Sequence, residues 1–74
     1  MMRDDLARLE SYLRSMFRTD TLRVVIHPKK QDMAEVFIGD EFIAPLYRED
    51  EDGEVSYQLQ IAILDIDLED QADA

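Results

Sequence analysis

The hydrophobic period of this chain changes once, near Leu22, and that change limits the folds open to it. Placed on a helical wheel at about 100° per residue, Met2, Leu6, Leu9, Tyr12, Leu13, Met16 and Phe17 gather in one arc. Arg3, Arg14 and Arg18 gather on the far side. Asp4 or Asp5 suits the positive end of such a helix, Glu10 and Arg14 form an i,i+4 pair, and Arg18 suits the negative end. Thr19, Asp20 and Thr21 then stop it, because their side chains bond nearby backbone. From Leu22 the period is two.

Four strands follow from that alternation. Leu22, Val24 and Ile26 share one parity, and Pro28 closes the first strand. Residues 33–38 and 41–47 form a second and third strand around a Gly39-Asp40 hairpin turn. Val55, Tyr57, Leu59, Ile61 and Ile63 are expected on one side of a long fourth strand. The predicted fold class is α+β: an N-terminal amphipathic helix packed on one face of a four-stranded antiparallel, meander-like sheet. It forms a single domain over residues 1–70, with residues 71–74 as a flexible acidic tail.

Two positions strain this scheme. Pro45 falls inside a strand that a meander makes an inner one, where its missing N–H interrupts the ladder, so either the strand bulges or breaks there or the strand order differs. The apolar parity also flips from odd at Ile63 to even at Leu64, Ile66 and Leu68. An unbroken strand would turn Asp65 and Asp67 into the core, so regular pairing is expected to end near Ile63. The run "ILDIDLED" is either an added edge strand or the end of a strand running into a solvated tail.

Size and charge narrow the function classes. A chain of 74 residues buries only about 60% of the surface its unfolded form exposes. With no cysteine and one histidine, neither disulfides nor a structural zinc site can reinforce it, which leaves association with another chain. Residues 1–30 carry seven basic against four acidic groups (+3), and residues 31–74 one against fourteen (−13), giving a net −10. That total repels phosphate, so nucleic acid is not the expected partner. The longest apolar run is too short for a membrane span and no secretory leader pattern opens the chain, so the expected setting is the cytoplasm.

The segment "YREDEDGEVSYQ" resembles a calcium loop only superficially. With Gly53 at position 6 of an EF-hand loop, Asp50 and Asp52 fall correctly, but Arg48 and Leu59 occupy the first and last ligand positions. It is expected to be a solvated hairpin turn with Asp52-Gly53 at the tip. Its acids, Glu49, Asp50, Glu51, Asp52 and Glu54, discourage stray strand pairing and offer an electrostatic target to a basic protein partner. His27 lacks any companion that would make a nucleophile pair, and two isolated glycines make no phosphate loop, so no catalytic residue, metal ligand or cofactor is assigned. The alternative is a weak ligand- or cation-binding protein, or a small enzyme using His27 with carboxylates.

One helix covers one face of a sheet only. Val25, Phe37, Ile43 and Tyr47 are therefore expected on the uncovered face, either scattered singly or, as preferred here, forming the interface of a homodimer. The stretch "HPKKQDMAEVFIGDEFIAPLYREDEDGEVSYQLQIAILDIDLED", and within it "FIGDEFIAPLYREDEDGEVSY", resembles a family of small uncharacterised alphaproteobacterial proteins, a domain of unknown function. That resemblance implies a bacterial cytosolic setting and brings no activity, cofactor or functional residue.

Overall fold

The computed structural model describes residues 2–69. Its order is helix α1 (Met2–Phe17), strands β1 (Leu22–Ile26), β2 (Met33–Ile38), β3 (Glu41–Glu51) and β4 (Glu54–Leu59), and a short helix α2 (Asp65–Glu69). The sheet is an antiparallel meander in the order β1-β2-β3-β4, so the α+β expectation holds. The assigned tail, residues 71–74, lies outside the described residues.

Local chemistry sets each boundary. Helix α1 closes in a Schellman motif: Arg18 adopts φ 55°, its N–H donates to the Ser15 carbonyl (3.3 Å), and the Thr19 N–H reaches back to Arg14 (3.0 Å). The Thr21 N–H then donates to Thr19 Oγ1 (3.3 Å), which turns the chain into β1. Gly39 (φ 61°) begins the β2–β3 turn, as type II′ geometry requires. Asp52 and Gly53, at φ 53° and 84°, form the type I′ turn between β3 and β4.

The core lies between α1 and the inner face of the sheet. Met2 and Leu13 are buried from the helix, and Leu22, Val24, Ala34, Val36, Ala44 and Leu46 from the sheet. Leu6, Leu9, Ile26, Ile38, Ile43, Tyr57 and Leu59 pack around them. The apolar arc of α1 is wider than its contact with the sheet: Tyr12, Met16 and Phe17 stay exposed. On the other flank, α1 guards an edge. Glu10 Oε2 accepts the Val24 N–H (3.0 Å) and Arg14 Nε donates to the Leu22 carbonyl (2.7 Å), while the two side chains pair at 3.1 Å. These are the outward-facing backbone groups of β1, so a foreign strand cannot pair there unopposed.

Pro45 sits in the inner strand β3, and a bulge accompanies it. The β2–β3 register runs from Val36↔Ala44 to Phe37↔Phe42, which leaves Ile43 as the extra residue. The bulge packs Ile43 against the core rather than on the uncovered face, correcting its expected placement. Pro45 also limits β4. Its carbonyl accepts the Gln60 N–H (3.2 Å), so its nitrogen faces the same side and has no hydrogen to return. Strand β4 therefore ends at Leu59 instead of running on to Ile63, and Ile61 and Ile63, expected on one side of that longer strand, lie beyond it and are exposed. The last acidic alternation is neither a strand nor a strand end. Asp67 Oδ2 accepts the Leu64 N–H (3.0 Å), half of a capping box, and opens α2.

Two stability changes test this account. Replacing Gly53 by alanine meets no neighbouring atom, so its cost comes from the positive φ alone, about 1–2 kcal/mol. Glu10→Ala strands the Val24 N–H and is expected to cost roughly 1–3 kcal/mol. Urea unfolding midpoints measure both.

Candidate functional site

Four surfaces carry the side chains with functional potential. The first is the outer sheet face, which no helix covers. Arg23 pairs across from Phe37 in the β1–β2 register, and its guanidinium lies over that ring at 5.3 Å. Phe37 meets Phe42 edge to face, with centroids 5.7 Å apart. Val25 is 40% exposed and Phe42 48%. Tyr47 stands farther along β3, opposite Met33 and Gln58. The bulge removes Ile43 from this set and adds Phe42, which plain alternation with Ile43 would turn to the helix side.

The acidic turn continues the same hairpin. Strand β3 outruns β2, whose pairing begins at Met33↔Tyr47, so the tip projects as a two-stranded ribbon. Glu49, Asp50, Glu51, Asp52 and Glu54 are all exposed there. Asp50 lies 3.6 Å from Arg48, and among the described residues no three acidic, histidine or cysteine side chains come together as a metal cluster.

His27 borders a cleft of about 360 Å³ together with Arg3, Asp4, Lys29 and Lys30. The Lys29 N–H donates to His27 Nδ1 (3.1 Å), so in the neutral ring the proton sits on Nε2. That nitrogen could meet a ligand, but among the described residues lining the cleft there is no serine, threonine or cysteine for it to activate.

The fourth surface, missed by sequence reasoning, is the seam between α1 and β4. Asp5 accepts hydrogen bonds from the Tyr57 hydroxyl and from Arg8. Arg48, paired across from Tyr57, has its Nε buried with no hydrogen-bond partner among the described residues. The Tyr57 hydroxyl, followed by Arg8, holds the Asp5 carboxyl below its usual pKa. Burial, reinforced by Asp5, pushes the Tyr57 phenol above its own. Asp5, Arg8, Leu9, Tyr12 and Tyr57 line a hollow of about 280 Å³ at this seam. One signal was available in advance: Tyr57 shares parity with Leu59, which turns its hydroxyl toward the helix.

These features define a small α+β domain: an open antiparallel sheet with one helix against half of one face. Residues 5–67 match the family described as "Protein of unknown function (DUF3126)", and the chain belongs to that family. The match includes the seam and most of the segment beyond β4. No curated protein and no solved structure matches the chain. Among the described residues no helix is long and apolar enough to cross a membrane.

The seam titrates at both ends of the pH scale. A carboxyl held below its usual pKa adds stability that is present above about pH 4 and lost as pH falls through the lower folded value. A phenol held above its usual pKa adds stability that is present below about pH 10 and lost as pH rises through the higher folded value. Tyr57→Phe is expected to move the Asp5 midpoint back up toward the ordinary carboxylate range, read from its side-chain carbon shift by NMR.

Proposed function

We propose that this chain is a small, non-enzymatic protein-interaction module of the cytoplasm that associates with itself as a homodimer. It takes neither nucleic acid nor a membrane surface as partner, and it needs no cofactor. The observation that carries this is the uncovered apolar surface at the C-terminal end. Ile61, Ile63, Leu64, Ile66 and Leu68 are all exposed, with Ile63 at 69% and Ile66 at 65%. Five large apolar side chains within eight positions form a patch of the kind that marks an interface. The outer sheet face, with Val25, Phe37 and Tyr47, is a second surface open to such contact.

The acidic hairpin tip supports a further partner. Glu49, Asp50, Glu51, Asp52 and Glu54 project away from the core, so a basic protein can engage them without disturbing the dimer. A weak-ligand role at His27 is the second reading, favoured by the cleft that His27 shares with Arg3, Lys29 and Lys30. Saturable shifts of the His27 ring signals with an added anion would support it, and an unaltered spectrum across an anion panel would remove it.

Sedimentation equilibrium across micromolar concentrations at low and high salt tests the main reading. A dimer that persists at high salt is expected, because apolar burial is not screened by ions. A monomer at every concentration overturns self-association.

A further inference from the structure

The exposed C-terminal arm and the open α1–β4 seam are complementary surfaces on one chain. The arm, residues 60–69, leaves β4 opposite Pro45 and packs none of its large apolar side chains into the core. A five-residue helix such as α2 is not stable in isolation, so its order requires a surface to rest on. Its chemistry is specific: Ile61, Ile63, Leu64, Ile66 and Leu68 interleave with Asp65, Asp67 and Glu69. From residue 49 to the end of the chain there is no basic residue, so the cations that answer those acids lie elsewhere.

Helix α1 offers one beside an apolar strip: Arg8, which pairs with Asp5 yet keeps 81% of its side chain exposed. Arg8, Tyr12 and Met16 follow one another at i,i+4 spacing along one flank of α1, the flank that faces β4 through Asp5 and Tyr57. Tyr12 is 64% exposed, and Met16 and Val55 are exposed as well. The hollow at the seam is lined by Tyr12 together with Leu9, Tyr57, Asp5 and Arg8. By contrast, the outer sheet face runs into the acidic hairpin tip and repels an acidic arm: Glu49, Glu51 and Glu54 lie on the same side as Tyr47. The seam is neutral by comparison, with Arg8 set against Asp5 and Arg48 against Asp50.

We propose that the α1–β4 seam of each chain receives the C-terminal arm of a second copy, in a reciprocal twofold exchange. The apolar side chains of the arm cover Leu9, Tyr12 and Met16, and its carboxylates lie along the Arg8 side of the helix. A second copy is the occupant because every chain carries one arm and one seam, and a twofold axis satisfies both with nothing left over. This proposal rests on the self-association proposed above and specifies its contact.

Full-length variants at exposed positions test it by sedimentation equilibrium, with circular dichroism as the check on folding. Ile66→Asp on the arm and Tyr12→Glu on the seam are each expected to raise the dimer Kd by at least about tenfold. Mixing the two variants is expected to give a heterodimer tighter than either homodimer, because one undamaged arm meets one undamaged seam. Phe37→Asp, on the outer face, is expected to leave the dimer within about threefold of the unaltered chain. Three outcomes overturn the proposal. A monomeric unaltered chain removes self-association itself. A dimer that survives Ile66→Asp and Tyr12→Glu but is lost in Phe37→Asp moves the contact to the outer face and leaves self-association standing. Mixed variants that associate no better than each alone exclude reciprocal exchange.

Discussion

One sixteen-residue helix has to cover a four-stranded sheet, and it is too narrow to do so. An α-helix with its side chains is about 10–12 Å across, whereas four strands at about 4.8 Å spacing span roughly 15–20 Å. Helix α1 settles over the β1 side, where Glu10 and Arg14 tie it to the edge strand. Its other flank leans toward β4, where Asp5 accepts the Tyr57 hydroxyl and Tyr57 and Leu59 pack at the margin of the core. The well-packed half therefore holds Leu13, Leu22, Val24 and Val36, while Tyr12 and Met16 stay exposed on the other flank of the helix.

The two edges of the sheet are treated differently for the same reason. At β1 the outward backbone groups of Leu22 and Val24 are bonded by a charged pair from the helix. At β4 the outer edge faces no further strand among the described residues. The acidic ribbon beyond it carries Glu49, Glu51 and Glu54 on one side, which discourages indiscriminate strand pairing. Specific contact is left to side chains, and the seam offers apolar and cationic ones together.

Much of this fold was legible in the sequence. The helix, the four strands, the two glycine turns and the Glu10–Arg14 pair are local features, fixed by periodicity, turn chemistry and i,i+4 spacing. The placement of Ile43 and the end of β4 were not legible, because both depend on what lies across the ladder. Alternation assigns Ile43 to the outer face, yet the bulge between Val36 and Phe37 shifts the register and packs it against the core. Alternation likewise carries β4 to Ile63, whereas Pro45 on the neighbouring strand lacks the hydrogen that pairing at Gln60 needs.

The candidate surfaces divide in the same way. The acidic tip and the unusual position of Pro45 belong to the sequence, since they follow from residue type and spacing alone. The seam belongs to the tertiary structure, because Asp5 and Tyr57 are 52 positions apart and meet only once the helix is laid across the sheet. So does the exposure of the arm. The sequence by itself determined which segments are helical or extended and where charge accumulates, because those properties depend on neighbours along the chain. Tertiary structure decided which apolar residues find cover, because that depends on how far one helix can reach across four strands.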